Sequence, residues 1–146
     1  MKKTVVVIDG MGGGIGAQLI GRIRKIIDAD GVPVELVALG TNASAAERML
    51  KAGAHRGAAG ENAVKVSVSR GDFILGPLGI VLANSLMGEV SPAMAEAVLA
   101  APGERILLPV DQEHVYLAGI EPLPLGRLLD KTVEYLRGRL ERIEER

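Results

Sequence analysis

The chain has 146 residues, 48% of them apolar and only 2% aromatic, with a formal net charge of -1 and no cysteine. That length fits one domain, residues 1–146, around a single core of Val, Ile, Leu and Ala. The missing cysteines exclude disulfides, thiolate metal sites and cysteine nucleophiles, while the lack of basic excess and of stacking rings argues against nucleic acid as a partner.

Two lysines near the start precede only a short apolar run, which breaks at Asp9, so the beginning does not read as a signal peptide. No apolar run reaches the roughly 18 residues of a membrane span. A cytoplasmic protein with no membrane partner is expected.

Val5 to Ile8 is a continuous β-branched run, the pattern of a strand buried on both faces in a parallel sheet. Gly10-Met11-Gly12-Gly13-Gly14-Ile15-Gly16 follows it. Ile15, Leu19, Ile20, Ile23, Ile26 and Ile27 then recur at helical spacing, and Gly31 with Pro33 closes that helix. Val34 to Leu39 is a second strand, leaving through Gly40-Thr41-Asn42. Ser44-Ala45-Ala46-Glu47 has capping-box spacing, which predicts a helix starting at Ser44 with Met49 and Leu50 facing inward and Gly53 ending it.

A short strand is expected within residues 54–59, and Gly60 to Ser69 reads as a helix although Val64, Val66 and Val68 alternate. Asp72 to Leu75 is another strand. Leu78 to Met87 is apolar on nearly every side and predicts a buried helix carrying Asn84 and Ser85. Ser91-Pro92 caps a further helix that Pro102-Gly103 ends. Arg105 to Val110 and His114 to Ala118 read as strands, and the link Asp111-Gln112-Glu113 is too short for a parallel crossover. An antiparallel hairpin at one sheet edge is therefore expected. Pro122 and Pro124 introduce a final helix, about residues 125–145. Its apolar stripe Leu129, Val133, Leu136, Leu140 and Ile143 is expected to pack on the sheet or on a partner subunit. The whole predicts an α/β fold, a three-layer Rossmann-like sandwich with a mainly parallel sheet and that hairpin at its edge.

The strand–glycine loop–helix carries the chemistry. Glycines admit backbone angles closed to other residues, so successive amides can converge on one hollow. The following helix adds its unpaired N–H groups and the positive end of its dipole, a field that suits phosphate. The loop's spacing resembles the short-chain dehydrogenase fingerprint through Gly10, Gly14 and Gly16, and Gly12, Gly14 and Ala17 match the other dinucleotide fingerprint. Its strict form fails counting from Gly10, because Ile15 stands where a glycine is required. There is no Lys-Ser or Lys-Thr after the glycines, so the loop is not a Walker loop.

NAD and NADP are the candidate cofactors, with other nucleotides open. The acid that would hold ribose hydroxyls at the end of the second strand is missing, since Gly40, Thr41 and Asn42 stand there. No Tyr-x-x-x-Lys pair supplies the dehydrogenase acid. Gly10, Met11, Gly12, Gly13, Gly14, Ile15 and Gly16 are assigned to phosphate, and Thr41 and Asn42 to ribose or base. Gly76, Pro77 and Gly79, with Asn84 behind them, follow another strand and make a candidate second wall. Asp9 and Glu89 are the candidate acid–base or metal-binding groups of an enzyme using the same cleft. His55 and His114 lack companions at ligand spacing, so no metal site is expected.

The segments Asp9-Gly10 with Gly12 to Gly16, Gly60-Glu61-Asn62-Ala63, Gly76-Pro77-Leu78-Gly79-Ile80 with Ala83-Asn84-Ser85, and Gly88-Glu89 resemble an uncharacterised family of small bacterial proteins known only as a domain of unknown function. The resemblance implies a Rossmann-like shape and a bacterial cytoplasmic setting, and no established activity. Three readings stand: a nucleotide- or dinucleotide-binding protein, a small enzyme using Asp9 or Glu89, and a homo-oligomeric interaction protein whose glycine loop is purely structural.

Overall fold

The computed structural model describes residues 2–110, 112 and 114–144. In chain order these form β1 (Lys3–Asp9), α1 (Gly14–Asp30), β2 (Val34–Gly40), α2 (Ala43–Ala52), β3 (Arg56–Ala59), α3 (Glu61–Val68) and β4 (Phe73–Pro77). A short 3-10 turn (Leu78–Val81), α4 (Pro92–Ala100), β5 (Glu104–Leu108) and α5 (Leu125–Glu144) complete the fold.

The five strands make one sheet in the order β3-β2-β1-β4-β5, and every pair of neighbours is parallel. Alternation along β1 explains its unbroken apolar run. Val5 and Val7 enter the core under α1, α2 and α5, while Val6 and Ile8 enter the one under α3 and α4. Helices thus cover both faces, consistent with the expected Rossmann-like sandwich. The final stripe is satisfied within the chain: Leu129, Val133, Leu136 and Leu140 are buried against Leu19, Ile20 and Ile23 of α1, and Ile143 packs beside them.

The strand order reverses between β1 and β4. The loops leaving those two strands therefore diverge to opposite faces, opening a crevice at their carboxyl ends, where open α/β sheets bind ligands.

Four expectations are corrected. The antiparallel hairpin does not form among the described residues. β5 runs parallel along β4 as far as Pro77↔Leu108, and Pro109, with no N–H to donate, ends it. Beyond it the described residues show an isolated antiparallel bridge, Gln112↔Val115; Asp111 and Glu113 lie outside the described residues. Residues 78–87 are not a buried helix either. The 3-10 turn stops at Leu82, the Ser85 hydroxyl donates to the Gly79 carbonyl, and Asn84 N–H donates to Val90 O at 2.7 Å. These bonds fold the segment back on itself, with Asn84, Leu86 and Met87 at positive φ and Met87 89% exposed. The cap of α2 is Asn42, whose Oδ1 accepts the Ala45 N–H at 2.8 Å, so the helix begins ahead of Ser44. Leu50 is exposed, while Met49 is buried as expected.

Candidate functional site

Pleat alternation aims the first two residues of the site. Asp9 continues the Val5, Val7 series and points under α1, whereas Gly10 faces the other way. The Asp9 carboxylate is buried and fully engaged. Its Oδ1 accepts the Gly10 N–H at 2.8 Å and its Oδ2 accepts the Gly16 N–H, in the first turn of α1, at 2.7 Å. Burial pushes its pKa above the ordinary carboxylate value, against the pull of the Gly16 and Gly10 amides. The nearby Glu89 adds to the rise and Arg48 subtracts from it. The turn itself closes with Gly13 N–H donating to Gly10 O at 2.8 Å, and Gly13 enters α1 at φ 72, a conformation natural to glycine.

On the far side of Gly10 lies a second carboxylate. Glu89 Oε1 accepts Met11 N–H at 2.9 Å, the Thr41 hydroxyl at 2.6 Å and Asn42 Nδ2–H at 2.8 Å. Asn42 Nδ2 also donates to Met11 O at 2.9 Å. These donors, the Thr41 hydroxyl foremost, hold the Glu89 pKa below the ordinary value, so it remains an ionised acceptor.

What is left open is the tip of the loop. Among the described residues, the N–H groups of Gly12, Gly14 and Ile15 have no partner in the chain. Gly12, Gly14 and Ile15 line a cleft of about 710 Å³, a size suited to a small-molecule ligand. The opposite wall comes from described residues between Pro109 and Leu128 and is mostly aliphatic, including Val115, Leu117, Ile120 and Leu123, with Gln112, Tyr116 and Glu121 as polar members. Arg48, on the exposed side of α2, donates from Nη1 to Gly12 O at 3.2 Å and brings a guanidinium to the rim.

The glycines divide sharply by the space around them. A Cβ at Gly10 would collide with Thr41 Oγ1 and meet Glu89 Oε1 at 3.0 Å. One at Gly16 would meet Met49 Sδ at 2.5 Å and Asp9 Cβ at 2.8 Å, and one at Gly13 would meet Ala45 Cα at 2.9 Å. At Gly12 and Gly14 the nearest atom is the flexible tip of Arg48, at 3.8 and 3.5 Å.

The predicted residues accordingly fall into groups. Gly10, Met11, Gly12, Gly13, Gly14, Ile15 and Pro77 share the cleft with one edge of Asp9. Thr41, Asn42 and Glu89 form a cluster behind the Gly10–Met11 peptide, and Gly16 is packed inside the first turn of α1. Gly76 lies against the backbone of β1, where a side chain would overlap Ile8 O. Gly79 packs against Gln112 and Ser85, and Asn84 is exposed on the folded-back segment. His55 sits at the sheet edge, where its Nδ1 accepts Leu36 N–H at 2.9 Å. No group of three or more His, Asp or Glu among the described residues is placed to hold a metal ion, and no helix among them is long and apolar enough to cross a membrane.

Two features escaped the sequence reading. Arg48 is one arginine on an amphipathic helix, and only its position six residues past the capping Asn42 hints that it lies above the glycine loop. The wall of residues 109–128 was read in part as a strand, so its contribution to the crevice was not visible.

The model of the family described as "Domain of unknown function (DUF3842)" matches residues 4–141. No curated protein and no solved structure matches the chain.

Proposed function

From a chain that belongs to the DUF3842 family, we propose a protein that binds a phosphate-bearing small molecule, a nucleotide or dinucleotide, at the tip of its glycine loop. The phosphate is received by the N–H groups of Gly12, Gly14 and Ile15 at the start of α1, where the helix dipole favours negative charge. The organic part of the ligand lies along the aliphatic wall of residues 109–128.

One observation carries this reading. The fold gives a reason for glycine at positions 10, 13 and 16, and gives none at 12 and 14, where a methyl group has room. Glycine where the backbone would equally accept alanine, as at 12 and 14 with no positive φ, costs about 0.4–1 kcal/mol through the unfolded chain's extra freedom. A glycine that the protein's own packing does not require, beside open amides on a cleft, is accounted for by a ligand that approaches the backbone closely.

Arg48 bears on the choice of ligand. The second strand ends without the acid that favours NAD, and a guanidinium stands near the loop instead. That pairing favours a second phosphate, as in NADP. Asp9 and Glu89 fit positioning better than proton transfer, since both Asp9 oxygens already accept amide N–H groups and Glu89 is held ionised by its donors. A purely structural glycine loop leaves Gly12 and Gly14 without explanation.

Calorimetric titration with NADP, NAD, ADP and pyrophosphate tests the proposal. Saturable binding of a phosphate ligand is expected, lost in Gly14→Val while the variant stays folded. Equal binding by Gly14→Val, or no binding by the unaltered protein, would overturn it.

A further inference from the structure

The Glu89 cluster has a geometry that the anion-binding reading does not require. Three donors from two loops, Met11 N–H, the Thr41 hydroxyl and Asn42 Nδ2–H, converge on the single oxygen Oε1. Met11 follows β1, and Thr41 and Asn42 follow β2, whereas Glu89 arrives from the segment beyond β4. One carboxylate, arriving from beyond β4, therefore ties together the exits of β1 and β2.

The carboxylate is itself firmly mounted. Val90, next in sequence, is buried in the core beneath α3 and α4, and its N–H donates to Ser85 O at 3.2 Å. Its carbonyl accepts Asn84 N–H at 2.7 Å, and Glu89 N–H donates to Leu86 O at 3.0 Å. On the receiving side, Met11 is held at φ 51, an unfavourable conformation for a residue with a side chain. Its N–H goes to Glu89 and its carbonyl to Asn42, so both of its backbone polar groups are fixed. The next amide in the chain is that of Gly12, the first of the open ones.

We propose that Glu89 is a positioning residue: its carboxylate straps Met11 to the end of β2 and so holds the tip of the glycine loop in the shape that presents its open amides. This rests on the anion-binding reading above and adds a specific division of labour. Asp9 sets the root of the loop from the α1 side, and Glu89 sets its tip from the opposite side. The role depends on an acceptor oxygen at one point, not on negative charge, which works against a phosphate nearby.

Alanine and glutamine therefore separate the possibilities. Glu89→Ala removes the acceptor; Glu89→Gln keeps an amide oxygen for the same three donors and removes the charge. NADP and pyrophosphate titrations of the full chain are paired with hydrogen exchange at the Met11 and Gly12 amides. Glu89→Ala loses all three bonds to Oε1; through release of the Met11 amide it is expected to bind about ten-fold more weakly and to exchange faster at Met11. Glu89→Gln is expected to bind at least as tightly as the unaltered protein, with Met11 still protected.

Tighter binding by Glu89→Ala would mean that the side chain obstructs the site, and would overturn the proposal. So would a Glu89→Gln protein as impaired as Glu89→Ala, since the negative charge would then be the working feature. If the unaltered protein binds neither probe, the anion-binding reading fails. Exchange then decides the strap alone: Met11 protection lost in Glu89→Ala and kept in Glu89→Gln upholds it, and unchanged protection in Glu89→Ala refutes it.

Discussion

The root and the tip of the glycine loop are built on opposite principles. At the root, Gly10, Gly13 and Gly16 stand where any side chain would strike Thr41, Ala45, Met49 or Asp9, and the amides of Gly10 and Gly16 are bonded to a buried carboxylate. At the tip, Gly12 and Gly14 have open surroundings and open amides. One short motif thus contains glycines that packing demands and glycines that packing does not demand. A fingerprint match cannot tell the two apart; the space around each Cβ, taken with the open amides and the cleft beside it, separates them.

Substitutions should break the comparison in opposite directions. Gly16→Ala is expected to be the most damaging, at about 3 kcal/mol, because the new methyl overpacks against Met49 and drives Asp9 from its amides. Urea unfolding reads this loss, and an unchanged midpoint would mean that the root is not tightly packed. Asp9→Ala should follow at about 2 kcal/mol, since it strands the Gly10 and Gly16 N–H groups; equal stability by the same assay would show water replacing the carboxylate. At the tip the sign reverses. Gly14→Ala is expected to gain about 0.4–1 kcal/mol by reducing the freedom of the unfolded chain while weakening NADP binding, so unfolding and calorimetry should move in opposite senses.

The smallest effect is in pH dependence. Glu89 has a folded pKa below the 4.5 of the free side chain, so its stabilisation is present above 4.5 and is lost as pH falls through the folded value. Asp9 is displaced the other way from 3.8, so its protonation in acid favours the folded state and offsets part of that loss. Melting curves of Glu89→Gln against pH should therefore show a shallower acid decline than the unaltered protein. An identical decline would remove Glu89 from the balance.

Where neighbours in sequence decide the outcome, the reading of the chain succeeded. The β-branched run of β1, the glycines and the helical period of α1 are all local, and each element formed where expected. It failed where a bond from elsewhere decides. Residues 78–87 have the composition of a buried helix, yet Ser85 and Val90 turn the backbone on itself. Asn42 and Ser44 are both good caps, and Asn42 wins because it also bridges Met11 and Glu89. Pro109 was visible and decisive, but the short link drew the inference toward a hairpin. Thr41 and Asn42 are expected beside ribose or base as loop residues at a strand end; that both also bond Glu89, 47 and more residues away, has no local signal.

The cleft joins residues 10–15 to described residues from Pro109 to Leu128, which come much later in the sequence. A chain growing from the ribosome completes its glycine hollow long before the facing wall has been made. On the proposed reading, a nick between β5 and α5 would abolish ligand binding while leaving most of the sheet in place.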